Sequence, residues 1–316
     1  GNFGGPRFLR LSKTNDMFFG IPHPTKEDIS SIDSSKIKKF RKIGYEYLEK
    51  RKLGEFTDLS CRFAFGKGKE KFNLSDSKFK KKKIISIYVG NWFDFPHLFG
   101  MRRFLDVYEW ITMTIKFAAK NKNVVWLIKP HPLEKWYGGI TLENSLSKNL
   151  PENIVILPNN YDGKAIMKIS DALVTFHGTS GIEYAAAGKP VLVADVGWYH
   201  DCDFVVFPKS REHFLNLLNT KWYEKVDKKE MKYNAELFAG LRFAVPIWQK
   251  DGLIPDDPDR RILRRFLPEF INKKKIMIKK EINETREWIK SKKIDYHTFK
   301  VIKSDRNIIQ GAYKTL

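Results

Sequence analysis

Two short polar motifs follow apolar runs of strand length, and their residue types suit the binding of a phosphate group. The first motif is Lys129-Pro130-His131-Pro132, which comes directly after the apolar run 124–128. The prolines restrict the backbone on both sides of the histidine, and the side chains of Lys129 and His131 can donate hydrogen bonds to a phosphate or a sugar carboxylate. Although a single histidine is often structural, its place between prolines at a strand end favours ligand contact. We predict that Lys129 and His131 bind the ligand.

The second motif is rich in glycine and hydroxyl groups and lies between the apolar run 172–176 and a helix-like run at 182–187. It consists of His177, Gly178, Thr179, Ser180 and Gly181. Glycines allow a ligand to approach the backbone closely, and the two hydroxyl groups can cap the helix or bind phosphate oxygens. The N–H groups and the dipole at a helix N-terminus attract anions. We predict that these residues bind a donor phosphate; the alternative is an ordinary capped turn between strand and helix.

Further candidate ligand contacts lie in the same helix and in the loop after an earlier strand. Glu183 falls one turn into the helix, where its carboxylate can accept hydrogen bonds from a ribose or a sugar, or stabilise the positive end of the helix. The run 84–89 predicts a strand, and the loop after the first strand of a parallel sheet commonly contacts the ligand. We expect this loop to line the cleft through Asn91, Trp92 and Asp94.

Predicted strands and helices alternate along residues 84–194, in the order β-α-β-α-β-α-β-α-β. Continuous apolar strands that alternate with helices are typical of an α/β fold with a parallel, Rossmann-like sheet covered on both faces. Ligands of such sheets bind at the carboxyl ends of the strands, where both motifs are located. A helix at 37–52, a last short strand at 204–207 and a basic helical stretch at 263–288 complete the prediction.

Composition narrows the class of protein and of partner. The chain has 316 residues, of which 42% are hydrophobic and 14% aromatic, which excludes a disordered polymer. The formal net charge is +21, and such an excess favours polyanions, phosphorylated substrates or an anionic membrane surface; solvated lysine-rich faces are the alternative. The two cysteines, Cys61 and Cys202, are far apart and indicate a reducing, cytoplasmic compartment. The sequence contains no apolar run of membrane-spanning length and no secretory signal.

Several familiar catalytic and metal motifs are missing from the sequence. The spacing of Cys and His does not fit a zinc site, and no Gly-x-Ser-x-Gly elbow occurs. The glycine-lysine run 66–69 lacks the spacing of a phosphate-binding P-loop. A weak Asp-x-Asp pattern, Asp201-Cys202-Asp203, follows Trp198-Tyr199-His200. One interpretation of the two aspartates is that they belong to a loop that closes on a sugar.

The strand-KPHP element, a spacer of about 45 residues and the sequence SDALVTFHGTSGIEYAAAGKPVLV together resemble the donor-binding half of GT-B glycosyltransferases. More narrowly, they resemble the bacterial capsule polysaccharide synthesis group, which includes the CMP-Kdo-dependent Kdo transferases; transferases of glycerol phosphate from CDP-glycerol and some sialyltransferases carry comparable elements. The resemblance covers about residues 84–215. It implies a nucleotide-sugar cleft, metal-independent chemistry without a cofactor, and a donor phosphate held by His131 and the loop 179–181. It further implies that Glu183 binds the ribose or the sugar.

The GT-B resemblance also implies a complete N-terminal acceptor domain, for which residues 1–83 are too short and irregular. We therefore expect a fragment or a reduced acceptor side at 1–83, a Rossmann-like nucleotide-sugar-binding domain at 84–250 and a basic helical region at 251–316. The chain begins at Gly1, as an expression scar or the cut edge of a longer protein would. The catalytic base of such enzymes usually lies in the acceptor domain, so the sequence does not identify it.

The function expected from these features is the transfer of a sugar from a nucleotide-sugar donor, CMP-Kdo-like in the favoured case, to a surface glycan or glycolipid of the capsule or lipopolysaccharide kind. A peripheral position on the cytoplasmic face of an anionic inner membrane would suit the basic C-terminal region. The enzyme alternatives are a CDP-glycerol-type glycerophosphotransferase and a sialyltransferase. Alternatives of another class are a non-catalytic nucleotide-sugar sensor and a nucleic-acid-binding module; no nucleic-acid motif occurs, so we expect no nucleic-acid partner.

Overall fold

The structure, a computed structural model, describes residues 7–8, 24, 26–30, 32–54, 64–65, 82–90, 103–137, 141–146, 150–159, 161–244, 272, 275–291 and 297–298. The chain divides into two compact units. One unit comprises residues 21–244, and the other comprises residues 1–20 together with 245–316. The domain borders expected at residues 83 and 250 stay predictions.

A five-stranded parallel sheet forms the centre of the unit 21–244. Its strands, in chain order after the short strand β1 (Arg7–Phe8) of the other unit, are β2 (Lys83–Tyr88), β3 (Val124–Lys129), β4 (Ile154–Ile156), β5 (Ala172–Thr175) and β6 (Val191–Val193). In space they follow the order β4-β3-β2-β5-β6. The predicted α/β fold with a parallel sheet is therefore confirmed.

The helices of this unit precede β2, connect the strands of the sheet or follow β6 along the chain. They are α1 (Lys26–Ser30), α2 (Ser34–Lys52), α3 (Val107–Ala118), α4 (Leu142–Leu146), α5 (Gly163–Ile169), α6 (Ser180–Ala186), α7 (Arg211–Leu217) and α8 (Lys228–Ala239). Short 3-10 helices occupy Glu134–Tyr137 and Trp222–Glu224, and a π-helix, Gly240–Ala244, continues α8.

Side-chain caps at the predicted helix starts explain where several of these helices begin. Asp33 accepts a hydrogen bond from the backbone N–H of Ser35, and Asp106 accepts one from that of Glu109. Asp162, Ser210 and Asp227 cap α5, α7 and α8 in the same way. Each cap satisfies an N–H group that has no partner inside its helix. Helix α3 consequently begins at Val107, directly after Asp106.

The sheet is buried on both faces, as its continuous apolar strands require. All six residues of β3 are buried. One face packs under α3 and α7 around Trp110 and Trp126, and the other packs under α6 and α8 around Tyr184 and Phe238. Such burial fixes the strands firmly, and with them the points at which the segments after β3 and β5 begin.

The predicted strand at 204–207 is replaced by a single parallel bridge between Leu192 and Val206. The backbone N–H of Val206 donates to the carbonyl of Val191, and the N–H of Val193 donates to the carbonyl of Val206. Because this bridge is too short to form a strand, β6 is the edge strand on its side of the five-stranded sheet.

Helices α2 and α8 pack so closely that glycine is required at their contact. A methyl group at Gly44 would overlap the carbonyl of Glu236, and one at Gly240 would overlap the carbonyl of Phe40. The prediction of a helix at 37–52 is confirmed, and residues 34–52 belong to the same unit as the parallel sheet.

The other unit contains α9 (Lys275–Ser291) and a two-stranded antiparallel pair of β1 with β7 (His297–Thr298). Arg7 pairs with Thr298, and Phe8 pairs with His297. Helix α9 exposes Ile276, Ile282 and Ile289 among basic side chains. The part of the predicted helix at 263–271 lies outside the described residues.

Candidate functional site

The strand order places both polar motifs on one edge of the sheet. Strands β3 and β5 flank β2, and Tyr88 of β2 is in register with Lys129 on one side and Thr175 on the other. Neighbouring strands lie about 4.8 Å apart, so the carboxyl ends of β3 and β5 are separated by about 10 Å. The two motifs thus begin at the same level of the sheet, within the length of a phosphorylated sugar.

The sheet also has its topological switch point at this edge. The connection after β2 leads to β3 on one side, and the connection after β5 leads to β6 on the other. In open α/β sheets the ligand crevice opens where neighbouring strands send their connections in opposite directions. The crevice expected from the fold therefore lies between the loop that begins at Val89 and the loop that begins at Phe176.

His131 lies in a tight turn directly after β3. Its Nδ1 atom accepts a hydrogen bond from the backbone N–H of Leu133 at 3.2 Å, and its carbonyl accepts one from the N–H of Glu134 at 3.0 Å. Because Nδ1 is an acceptor, a neutral His131 ring carries its proton on Nε2. The turn presents an imidazole of fixed tautomer at the carboxyl edge.

Lys129 is almost completely buried at the end of β3. Its ammonium group donates to the carbonyl of Tyr161 at 3.1 Å, which ties β3 to the segment before α5. The ligand role predicted for Lys129 stays a prediction; the contact that the structure shows is one within the fold.

The loop after β5, residues 176–179, and the first residue of α6 offer backbone donors. The carbonyl of His177 accepts from the indole N–H of Trp198 at 2.7 Å, and the carbonyl of Gly178 accepts from the hydroxyl of Tyr199 at 2.5 Å. In the described part of the chain, the N–H groups of Gly178, Thr179 and Ser180 donate no hydrogen bond. The loop therefore combines occupied carbonyls with available N–H groups, which suits an anion.

The hydroxyl groups of Thr179 and Ser180 do not cap α6, contrary to the first alternative of the sequence interpretation. Thr179 is the residue before the helix, but its backbone is already helical (φ −52°, ψ −28°) and its side chain makes no capping bond. A capping side chain normally requires an extended backbone at that position. Within the described residues neither hydroxyl takes part in a hydrogen bond, so the second alternative, contact with phosphate oxygens, stays a prediction. Helix α6 has only seven residues, so we attach little weight to its dipole.

His177 stands at the start of this loop with its ring edge against Phe176 at 4.6 Å between centroids. Removal from water, with a smaller contribution from His200, lowers the pKa of His177 to about 4. The imidazole is thus neutral near pH 7 and can contribute hydrogen bonds, not positive charge, to a ligand. The absence of a side chain at Gly197 leaves room for the Cβ atom of His177.

Glu183 lies in the interior instead of facing the crevice. Its side chain is 4% exposed and forms an ion pair with Arg51 of α2, with 2.9 Å between Arg51 Nε and Glu183 Oε1. The acidic group one turn into α6 therefore joins this helix to α2. The sugar or ribose contact predicted for Glu183 stays a prediction, whereas the pairing with Arg51 was not expected from the sequence, because residues 51 and 183 are distant in the chain.

The expected cleft residues Asn91, Trp92 and Asp94 lie outside the described residues. The described end of the same loop is held by Arg103, whose backbone N–H donates to Asp195 Oδ2 at 2.9 Å and whose guanidinium donates to the carbonyl of Pro208 at 2.6 Å. These bonds attach the loop after β2 to the segment after β6.

Searches for similar proteins gave structural matches only. Neither a protein-family profile nor a curated protein matches the sequence. Among solved structures, KpsC of Thermosulfurimonas dismutans, a beta Kdo 2,4 transferase, matches with a TM-score of 0.45 and 12% identity over 69% of this chain and 63% of that chain. The wall teichoic acid polymerase TagF matches with a TM-score of 0.36 and 15% identity over 50% of this chain and 39% of that chain.

A third match is Alr3699/HepE of Anabaena in complex with UDP-glucose, with a TM-score of 0.35 and 15% identity over 52% of this chain and 46% of that chain. The matched part of this chain spans less than two thirds of each of these three proteins.

Two residues to which sequence reasoning assigned no role support the loop from behind. Trp198 donates to the carbonyl of His177, and Tyr199 is fully buried and donates to the carbonyl of Gly178. The Tyr199 ring packs in the core against Phe204 and Phe238. An aromatic pair shortly after an apolar strand was the available signal, and it is also typical of an ordinary core segment. The role suggested for Asp201 and Asp203, a loop that closes on a sugar, stays a prediction.

The described residues contain no group of three or more His, Cys, Asp and Glu side chains arranged to hold a metal ion. Within the same residues, none of the helices is long and apolar enough to cross a membrane.

Proposed function

We propose that this chain is a glycosyltransferase of GT-B type that moves a sugar from a nucleotide-sugar donor to a glycan or glycolipid acceptor. The donor phosphate would be held at the carboxyl edge between His131 and the loop after β5. A CMP-Kdo-like donor is favoured by the resemblance of the KPHP and HGTSG elements.

The observation that carries the proposal is the register of β3 and β5 on β2. Because Lys129 and Thr175 both align with Tyr88, the imidazole after β3 and the N–H groups after β5 lie on one edge, on either side of β2. The switch point of the sheet lies between β2 and β5, where ligands of open α/β sheets bind. This arrangement supports the proposal that donors from two directions hold one phosphate.

The proposed reaction breaks the bond between the anomeric carbon of the sugar and the phosphate oxygen, and it forms a bond from that carbon to an acceptor hydroxyl. The hydroxyl proton leaves to a base, and the nucleotide departs with the bonding electron pair. The N–H groups of Gly178 and Thr179 and the Nε2–H of His131 would stabilise the negative charge that grows on the leaving phosphate. Donors already oriented before the reaction stabilise such charge most effectively.

Replacement of His131 tests the proposal. His131→Ala should lower nucleotide affinity by about 10- to 100-fold, since a hydrogen bond to a charged group contributes about 1.5–3 kcal/mol, while thermal unfolding stays close to that of the wild type. Calorimetric titration with CMP measures the affinity. His213→Ala, at an exposed position in α7, is the matched control and should bind like the wild type. Wild-type affinity in His131→Ala would refute the assignment.

The identity of the nucleotide and the type of reaction can be tested independently of the residues that bind the donor. Thermal-shift measurements with CMP, UDP and GDP compounds would rank the nucleotides, and CDP-glycerol compared with CMP-sugars would distinguish a glycerophosphotransferase from a Kdo transferase or sialyltransferase. Nucleotide binding without transfer to any acceptor would favour a non-catalytic sensor.

Association with an anionic membrane is a further part of the proposal. Helix α9 exposes Ile282 and Ile289, which are seven positions apart and so lie on one face. Exposed basic side chains lie on or beside this face: Lys275, Lys279, Arg286 and Lys290. Apolar side chains flanked by cations suit an anionic lipid surface. Binding to phosphatidylserine vesicles should fall steeply as salt is added; binding that is absent or independent of salt would end this part of the proposal.

A further inference from the structure

Trp198 and Tyr199 donate hydrogen bonds to two consecutive carbonyls of the loop after β5. The indole Nε1–H of Trp198 donates to the carbonyl of His177 at 2.7 Å, and the hydroxyl of Tyr199 donates to the carbonyl of Gly178 at 2.5 Å. Two neighbouring side chains thus donate to two successive carbonyls, which holds both peptide groups in place.

Each of these hydrogen bonds also sets the direction of an N–H group. In a planar trans peptide the C=O of one residue and the N–H of the next point in opposite directions. Trp198 therefore directs the N–H of Gly178 away from itself, and Tyr199 does the same for the N–H of Thr179. Among the described residues these N–H groups have no acceptor.

Both donor side chains are held in place by their surroundings. The Tyr199 ring is fully buried and stacks on Phe204 at 5.4 Å between centroids. The guanidinium of Arg242 lies over the ring of Trp198 at 5.3 Å. Burial raises the pKa of Tyr199 above its ordinary value, so the hydroxyl keeps its proton at any physiological pH.

Gly181 allows Tyr199 to reach the loop. A methyl group at Gly181 would overlap the hydroxyl of Tyr199, so the phenol can donate to Gly178 only because residue 181 lacks a side chain. The glycine that the sequence interpretation assigned to ligand approach is thus also needed for the approach of a protein side chain.

We propose that Trp198 and Tyr199 are positioning residues, which orient the N–H groups of Gly178 and Thr179 toward the phosphate of the nucleotide. This inference rests on the proposed function, because it names the groups that prepare the same phosphate site. Neither side chain contacts the ligand; both act through the carbonyls of His177 and Gly178. The loss of either donor should weaken phosphate recognition and leave recognition of the nucleoside unchanged.

The test compares each nucleotide with its nucleoside in the full chain. Calorimetric titrations with CMP and cytidine, UMP and uridine, and GMP and guanosine identify the pair for which the wild type shows the largest preference for the phosphate. For that pair, Tyr199→Phe should reduce the nucleotide affinity by about tenfold, as expected for a hydrogen bond to a charged group that is no longer well oriented. The nucleoside affinity should not change.

Matched controls separate orientation of the loop from general loss of packing. Tyr223→Phe removes a hydroxyl from another buried tyrosine, and it should keep the wild-type ratio of nucleotide to nucleoside affinity. Trp198→Phe should reduce this ratio, whereas Trp222→Phe should not, because the buried indole N–H of Trp222 donates no hydrogen bond within the described part of the chain. Thermal unfolding of Tyr199→Phe checks that the isosteric variant is folded.

The possible outcomes distinguish this inference from the proposed function. If the wild type prefers the phosphate and Tyr199→Phe and Trp198→Phe keep that preference, the positioning role is wrong although the proposed function stands. If the wild type shows no preference for the phosphate in any pair, the proposed function fails and this inference fails with it. A reduced ratio in both variants, with wild-type ratios in the controls, supports both.

Discussion

Polar groups differ in their hydrogen bonds between the amino edge of the parallel sheet, where its strands begin, and the carboxyl edge, where they end. At the amino edge, the carboxylate of Asp171 accepts from Lys83 Nζ at 2.9 Å and from the backbone N–H of Ile84 at 2.9 Å. At the carboxyl edge, the N–H groups of Gly178 and Thr179 find no acceptor among the described residues. The comparison indicates that polar groups before the strands stabilise the fold, whereas the N–H groups after β5 are available for the ligand of the proposed function.

The supports of the carboxyl edge lie behind the loop. Trp198 and Tyr199 hold its carbonyls, and the pair of Arg51 with Glu183 attaches α6 to α2. A loop with donors directed outward needs such support, because it makes few bonds of its own. The following predictions test this contrast between the edges.

The largest effect on stability is expected from the buried ion pair behind the carboxyl edge. Arg51→Ala leaves the carboxylate of Glu183 buried without its partner, which typically costs about 3–5 kcal/mol of unfolding free energy. Urea denaturation measures the loss. The double variant Arg51→Ala with Glu183→Gln should recover part of it, because the neutral amide tolerates burial better. A loss below about 1 kcal/mol in the single variant would mean that water or another group replaces Arg51.

A smaller, pH-dependent effect is expected from His177. Its pKa is lowered to about 4 from an ordinary value of 6.5, so between these values the unfolded chain binds a proton that the folded chain does not. Stability should therefore fall as the pH decreases from about 6.5 to 4, with a contribution of at most about 1.4 kcal/mol per pH unit.

Denaturation at several pH values checks the contribution of His177. His177→Gln should show a shallower loss of stability than the wild type over this range, and His213→Gln, at an exposed position, should follow the wild type. Parallel curves for His177→Gln and the wild type would contradict the lowered pKa of His177.

The smallest effect is expected at the amino edge. Asp171→Asn removes the charge that pairs with Lys83, and both side chains are partly exposed, so the cost should be about 1 kcal/mol. The ratio of nucleotide to nucleoside affinity should stay at the wild-type value, because this residue lies at the opposite end of β5. A change in that ratio would show that the two edges are not independent.

Much of the fold could be predicted from local signals. The apolar runs at 84–89, 124–128 and 172–176 contain strands of the sheet, and Asp33, Asp106 and Asp162 each cap the helix that follows them. The prediction of a strand at 204–207 was wrong. An apolar run indicates that a segment can pair with a strand, but it does not show how many of its residues find a pairing partner at the edge of the sheet.

The candidate site was predictable only in outline. His131 and the loop after β5 lie on one edge, as the α/β pattern suggested. The positions of Glu183 and Tyr199 were not predictable, because each depends on a partner far away in the chain: Arg51 for the first and the carbonyl of Gly178 for the second. A carboxylate in the first turn of a helix has the same sequence pattern whether it faces solvent, ligand or core.

The amino-acid sequence by itself determined the elements and the chemistry at their ends: apolar strands, capped helices, an imidazole between prolines and a bend rich in glycine and hydroxyl groups. These follow from hydrophobic periodicity and backbone preference, which act over a few residues. Only the tertiary structure decided that β3 and β5 lie on either side of β2, and that Trp198 and Tyr199 occupy the carbonyls behind the bend. Such contacts depend on how distant segments fill the same core, and no local pattern encodes that choice.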